Sequence, residues 1–450
     1  MNPTLNASSW KPSSWRKSPR SQMPTYANQA ALEDVLSQLG ALPPLVTSWE
    51  VETLREQLEE VAEGKRFLLQ GGDCAENFAE CRSEMIAGKL KILLQMSLIL
   101  LHGSKRSVTR VGRFAGQYAK PRSSDTEQRG DVALPSYRGD LVNAVGFSPQ
   151  EREPDPQRLL TGYYNAALTL NFIRSLIDGG FADLHHPEYW QLDFVRHSHR
   201  KSDYDQLVTE ISESIDFLET ISGQNIAQLN RVEFFTSHEG LHLDYEQAQT
   251  RQVPHRDGWY NLSTHFPWIG NRTRSLGGAH VEFFRGLQNP IGVKIDGKID
   301  PDELSDLVRI LNPKQIPGHL MLIHRLGEAQ VAKELPGLIE TVHKTNIPVV
   351  WCSDPMHGNT ETTDNGYKTR DFQRILSELE QSFDIHQAKG SYLGGVHFEL
   401  TGEDVTECTG GARGLTSADL SRDYRSQVDP RLNYEQALEM AMLIAQYMRK

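Results

Sequence analysis

Residues 291–354 read IGVKIDGKIDPDELSDLVRILNPKQIPGHLMLIHRLGEAQVAKELPGLIETVHKTNIPVVWCSD. Three short, nearly all-apolar runs stand in this stretch, at 291–296, 320–325 and 348–354, and two longer segments of helical period separate them, at 302–311 and 328–343. Strands without polar alternation are covered on both faces, and the helices between them supply the cover, so the stretch reads as consecutive parallel βα units. Working outward, apolar β-rich runs recur at 66–72 (RFLLQGG), 107–113 (SVTRVGR), 231–237 (RVEFFTS), 259–265 (WYNLSTH) and 393–399 (LGGVHFE), with further helical segments at 369–383 and 433–448. Eight strands result. A closed (β/α)8 TIM barrel of the α/β class is the economical way to bury them all.

One connection breaks the rhythm. Residues 114–230 far exceed the roughly 2–6 residues of an ordinary βα loop, so they carry extra structure. Asp155 and Pro156 read as an N-cap and an N1 proline opening a helix that stops at Gly179 and Gly180. Further on, Tyr204, Leu207, Val208, Ile211, Ile215 and Leu218 keep one helical face. The expected layout is a catalytic barrel over 64–450 with an inserted helical pair within about 150–225, and an N-terminal arm and helix, 1–63, decorating it. Trp10, Trp15 and Trp49 are read as staples between arm and body, and the helix around 92–101 as core.

Composition excludes several classes of function. The 450 residues hold 38% hydrophobic and 24% charged residues, enough to bury a large core. With 47 Lys and Arg against 59 Asp and Glu, the formal charge of −12 argues against a general polyanion binder, so no nucleic-acid partner is expected. Any anionic ligand must meet a local basic pocket. Cys74, Cys81, Cys352 and Cys408 are too scattered for a disulfide framework and form no C-x-x-C pair, which fits a reducing compartment. The most apolar run is interrupted by Gln95 and Ser97 and falls short of the roughly 20 residues a bilayer requires, so no membrane segment is expected. Residues 1–25 carry Lys11, Arg16, Lys17 and Arg20 without an acid and loosely resemble a transit peptide, but the preferred reading is a structural arm. The expected compartment is therefore cytoplasmic, with a plastid only if the arm is a transit peptide.

In such a barrel, chemistry sits at the carboxyl ends of the strands. There the sequence places Gly71-Gly72-Asp73-Cys74, Arg113, His238-Glu239, His265, Lys294, Arg325, His357 and Glu399, and Asp429 in V-D-P-R-L-N would fold back over the mouth. Cys74, His357, Glu399 and Asp429 form a mixed soft and hard donor set. It suits Mn, Fe, Co or Zn better than Mg or Ca. Arg113, Arg272, Lys294 and Arg325, with Lys120 and Arg122, form a basic constellation whose guanidinium forks match phosphates and carboxylates of small molecules. The glycine pairs match neither a P-loop nor G-x-G-x-x-G, so nucleotide binding is unsupported.

The segments QGGDCAE (70–76), GRFAGQYAKPRS (112–123), WIGNRTR (268–274), DPMHGNT (354–360), HFELTGEDVTEC (397–408) and DPRLN (429–433) resemble the class II, plant-type 3-deoxy-D-arabino-heptulosonate 7-phosphate synthases. The resemblance spans nearly the whole chain, SWKPSSWR near the start and LPPLVTSWE at 42–50 included. It implies the condensation of phosphoenolpyruvate with erythrose 4-phosphate that opens the shikimate pathway. By the same resemblance the metal ligands fall on Cys74, His357, Glu399 and Asp429, and the phosphoenolpyruvate contacts on Arg113, Arg272, Lys294 and Arg325. Lys120, Arg122 and Ser123 fall on the erythrose 4-phosphate side. One position departs: Asn271 stands where relatives carry an acid, which removes a side-chain charge and leaves a backbone contact. Cys74, His357 and Lys294 are the expected catalytic positions, Lys294 and Glu239 the candidates for proton handling, and manganese the expected ion, with Co, Fe or Zn as alternatives. The resemblance further implies an aromatic amino acid effector, contact with a chorismate mutase and homo-oligomeric assembly. Two other readings compete with it: a paralogue serving a secondary-metabolite pathway, and a catalytically silent regulatory barrel.

Overall fold

The structure is a computed structural model. It describes residues 10–179 and 233–449, and between them Ser202, Asp205, Gln206, Thr209, Glu210, Ser212 and Glu213. Its centre is a closed barrel of eight parallel strands: β1 (Arg66–Gly72), β2 (Ser107–Arg113), β3 (Phe235–Glu239), β4 (Phe266–Ile269), β5 (Ile291–Ile295), β6 (Leu320–His324), β7 (Val350–Ser353) and β8 (Leu393–Glu399). Each strand pairs with its sequence neighbour, and β1 closes the ring on β8 from Leu68↔Gly395 to Gly72↔Glu399. The expected (β/α)8 barrel is present.

The amino end of the barrel is stoppered. Two helices precede the first strand, α1 (Gln29–Ala41) and α2 (Ser48–Ala62). A reciprocal capping box of Thr47 and Glu50 starts α2. Its Leu54, Leu58 and Val61 then join the barrel-interior side chains Leu68, Val111, Phe235, Phe266, Met321, Ile323 and Val350 in one apolar cluster. Each such fully buried aliphatic chain contributes about 1.5–3 kcal/mol. Gln57 fixes the helix azimuth by accepting from Thr109 Oγ1 at 2.9 Å.

The outer layer follows the sequence pattern. Helix α3 (Ser83–Ser104) is long and apolar enough to cross a membrane by length and composition, but 67% of its most apolar window is buried. It packs against α10 (Tyr434–Met448) so closely that a Cβ on Gly103 would lie 2.3 Å from the Ala445 Cβ. This is core helix behaviour. After β2 the chain forms a hairpin of residues 126–135 and then α4 (Gln157–Asp178), which starts one residue later than expected, with Pro156 at the N-cap position and Asp155 Oδ1 accepting from Gln157 N at 2.9 Å just before it. The second expected helical face, Tyr204 to Leu218, lies outside the described residues. The shorter α5 (Leu243–Ala248) and α6 (Ala279–Phe284) follow, then α7 (Pro301–Leu311), α8 (Glu328–His343) and α9 (Phe372–Ala388).

Two strand expectations are corrected. The fourth barrel strand is Phe266–Ile269, downstream of the expected 259–265; there, Tyr260–Asn261 pairs with Thr250–Arg251 in a separate antiparallel ladder. Pro267 masked the true strand, because proline normally weakens a strand reading, whereas WYNLSTH carries stronger β propensity. The third strand starts at Phe235, and His238 and Glu239 end it rather than follow it. The staples divide as well. Trp15 is fully buried and donates to Gln247 Oε1 at 2.9 Å, and Trp10 donates to Glu282 O at 2.7 Å, but Trp49 is 71% exposed beneath Arg256.

Candidate active site

Barrel register alone assembles the first part of the site. Gly72 pairs with Arg113 on one side and with Glu399 on the other, so the last residues of β1, β2 and β8 stand abreast at the carboxyl end. Gly72 adopts φ +145°, and a Cβ there would lie 2.8 Å from Arg113 O; only glycine allows this approach. The chain then turns through buried Asp73 to Cys74.

Cys74, Glu399 and Asp429 bring one donor atom each within 4.8 Å of one another. Their separations are direct: Cys74 Sγ lies 3.6 Å from Asp429 Oδ2. His357 reaches the same cluster through Nε2, 3.1 Å from Glu399 Oε1. Ligand bonds of about 2.0–2.3 Å allow donors up to about 4.6 Å apart across an ion, so the three-donor cluster fits a divalent cation after small adjustment, while His357 stands beside Glu399 and outside that mutual 4.8 Å group. Lys120 Nζ now supplies positive charge there, touching Cys74 Sγ and lying 2.5 Å from Asp429 Oδ2. A resident ion would require that side chain to swing aside.

The electrostatics of the donors agree with this fit. Burial, helped by the Glu399 charge, pushes the Cys74 thiol up, so a thiolate needs a strong cation beside it. Burial would raise Glu399 too, but His357, Arg370 and Lys120 overcome it and hold that carboxylate well below its usual range. Burial lowers His357 against the pull of Asp354 and Glu399, favouring the neutral imidazole that ligation uses. Asp354 accepts from His357 Nδ1 at 2.7 Å, which leaves Nε2 facing the donor cluster.

Beside the donors opens a cavity of about 170 Å³. Arg113, Lys120, Arg272, Lys294 and Arg325 line it together with the carboxylates Glu239, Glu399 and Asp429, five cations against three acids. Arg113 is 2% exposed, and its Nε and Nη1 find no hydrogen-bond partner among the described residues. Two buried guanidinium donors left open in this way call for an anion. Trp268 forms the wall beneath, 5.3 Å from the Arg113 guanidinium carbon and 5.8 Å from Lys294 Nζ. Lys294 donates to Asp354 Oδ2 at 2.9 Å, and burial lowers its pKa. Burial raises Glu239, whose Oε1 also lacks a partner.

Most expected site residues meet here, with exceptions. Arg122 and Ser123 are not among the lining residues. Arg122 N donates to Gln22 Oε1 of the N-terminal arm at 2.8 Å, and Ser123 Oγ accepts from Arg272 at 3.0 Å. Asn271 does line the cavity, but its amide donates to Asp296 at 2.7 Å and accepts from Arg274 at 3.1 Å. An acid there would face Asp296 with like charge, so the asparagine matches its neighbour. His265 does not reach the mouth, because it precedes the displaced β4; its Nδ1 accepts from Thr236 N at 2.9 Å. His238 is spent on Glu246 at 2.8 Å. Sequence reasoning missed Asp354, Arg370 and Lys368. A D-x-x-H spacing announces the first; no local signal announces the buried Arg370, which joins Glu399 Oε2 at 2.7 Å.

The profile of the class-II DAHP synthetase family matches residues 10–445. A phospho-2-dehydro-3-deoxyheptonate aldolase of Neurospora crassa is 49% identical, the alignment covering 99% of this chain and 96% of that protein. One of Streptomyces coelicolor is 44% identical, covering 97% and 96%. With an eight-stranded barrel, a mixed donor set and a cationic cavity already at its carboxyl end, the chain belongs to the class-II DAHP synthetase family.

Proposed function

We propose that this chain condenses phosphoenolpyruvate with D-erythrose 4-phosphate and water, yielding 3-deoxy-D-arabino-heptulosonate 7-phosphate and phosphate, the opening step of the shikimate pathway. The observation that carries the reading is the buried Arg113, with two open donors, beside the Cys74–Glu399–Asp429 cluster. Carbon 3 of the enol forms the new bond to the aldehyde carbon, water adds at carbon 2, and phosphate leaves by cleavage of its bond to carbon 2. Arg113, Lys294, Arg272 and Arg325 offset the charge of phosphoenolpyruvate and orient it. Lys120, which lines the cavity, takes the phosphate end of the aldose, and Ser123 acts from outside the lining by accepting from Arg272. Glu239 and Lys294, both shifted toward neutrality by burial, are our candidates for holding protons at the reacting atoms.

Cys74, His357, Glu399 and Asp429 would hold a borderline divalent ion, manganese in our reading, with Co, Fe or Zn as alternatives. When bound, it supplies Lewis acidity toward the aldehyde oxygen. An anaerobic assay of phosphate release with both substrates, with chelator and with added Mn²⁺, tests the assignment. Turnover that needs both substrates and the ion supports it; no turnover with any divalent ion refutes it. The family resemblance also supports an aromatic amino acid effector, contact with a chorismate mutase and homo-oligomeric assembly; the scattered cysteines and the reading of residues 1–25 as a structural arm support a cytoplasmic location. Calorimetry with Phe, Tyr and Trp checks the effector: no heat and no kinetic change removes it.

A further inference from the structure

Three residues of the sequence motifs have no part in the chemistry above: Asp73 of QGGDCAE, Glu407 of HFELTGEDVTEC and Arg431 of DPRLN. All three are buried, with exposures of 0%, 0% and 4%. They form one connected unit. Arg431 clamps Glu407 with both arms of its guanidinium, Nε to Oε2 at 3.0 Å and Nη2 to Oε1 at 2.9 Å, and its Nη1 donates to Asp73 Oδ1 at 2.8 Å. Lys89 lies against the other Asp73 oxygen.

Glu407 does more than pair. Its carboxylate also accepts from the backbone N–H groups of Arg425 at 3.2 Å, Ser426 at 2.9 Å and Arg431 at 2.8 Å. These three amides bracket the irregular stretch that carries Asp429, a segment outside any barrel strand. Within the bracket, Ser426 Oγ donates to Asp429 O at 2.6 Å. One buried carboxylate therefore shapes the loop, and Arg431 ties it to Asp73, the residue immediately before Cys74.

Of the four donors only Glu399 lies on a strand, and of the other three Cys74 and Asp429 lack the carboxylate grip that fixes His357. Glu399 ends β8, and His357 is gripped by Asp354. We infer that the Asp73–Arg431–Glu407 clasp is a positioning device that sets the distance between Cys74 and Asp429 and so tunes the affinity of the metal site. This rests on the metal-site reading above. The ion pairs are buried, so breaking one leaves a charge uncompensated and the loop free to relax.

The test is titration of the metal-free full-length protein with Mn²⁺ alone, read by calorimetry, alongside thermal melting and kcat and KM at saturating Mn²⁺. Arg431→Met and Glu407→Gln are expected to raise the Mn²⁺ dissociation constant about 10- to 100-fold, the range typical of partners that orient metal ligands. Arg431→Lys, which keeps the charge but not the fork, should fall between them and the parent. The phosphoenolpyruvate KM at saturating Mn²⁺ should stay unchanged. Should Arg431→Met fail to fold, Arg431→Lys and Asp73→Asn give the answer. Mn²⁺ binding lost in Cys74→Ala but intact in folded Arg431→Met overturns the clasp alone. Binding that survives both overturns the metal site itself.

Discussion

The two ends of the barrel solve opposite problems. At the amino end, Leu54, Leu58 and Val61 of α2 close the interior with aliphatic side chains. At the carboxyl end, Arg113, Lys294, Asp354, Glu399 and Arg370 are all buried and ionic, and their mutual pairing leaves selected donors open. Burying unpaired charge opposes folding, while burying aliphatic area drives it. The stopper stabilises a scaffold whose other end is held in a costly arrangement for binding, so stability and chemistry should separate along the barrel axis.

Leu58→Ala at the stopper is the most direct attempt to break that separation. It should lower stability by about 2–5 kcal/mol in denaturant titrations while kcat/KM of the folded enzyme is retained; a matching loss of kcat/KM would show the ends to be coupled. Arg113→Ala at the mouth should do the reverse. A loss of about 10²–10³ in kcat/KM is expected, with little change in melting temperature.

Glu378 sharpens the contrast through pH. It lies behind the mouth, accepting from Leu326 N at 3.1 Å, Gly327 N at 3.0 Å and Asn359 Nδ2 at 2.7 Å, and burial pushes its pKa up to about 7. A raised folded pKa means the native state binds the proton more tightly than the unfolded chain. The resulting stability is present below about pH 4.5 and is lost as pH rises through about 7. Glu378→Gln should therefore gain about 3 kcal/mol relative to the parent between pH 4.5 and pH 8, read from denaturant midpoints at the two values. A constant difference across pH would remove Glu378 as a titrating group.

A smaller effect is expected at Asp354. Asp354→Asn should weaken Mn²⁺ binding about 10- to 100-fold in direct titration, because His357 loses the carboxylate that directs its Nε2. The smallest concerns Asn271→Asp, which puts like charge opposite Asp296 and should cost no more than about 1 kcal/mol in stability. Unchanged melting at low ionic strength would show that Arg274 absorbs the added charge.

The legible part of the site follows a physical rule. Cys74, Arg113, Lys294, His357 and Glu399 lie at or just past strand ends, and parallel closure brings strand ends together whatever the intervening helices do. The same rule misfired for His265, since a strand containing Pro267 hides behind a better-looking run. Arg370 was invisible because it reaches Glu399 from the short antiparallel pair Thr360–Thr362 and Lys368–Arg370, outside the barrel. The clasp of Asp73, Arg431 and Glu407 was hidden for a related reason. Its members stand 358 and 24 positions apart, and no local periodicity records a buried ion pair.

From sequence alone came the alternation of strands and helices, the strand ends that carry donors and cations, and the long interruption after the second strand, because each is a short-range pattern of side-chain chemistry. Tertiary structure decided that α2 enters the barrel floor, that Asn271 answers Asp296, and that Lys120 lies against Cys74 and Asp429. These are distances between groups far apart in the chain, and only the closed fold, balancing apolar burial at one end against paired charge at the other, sets them.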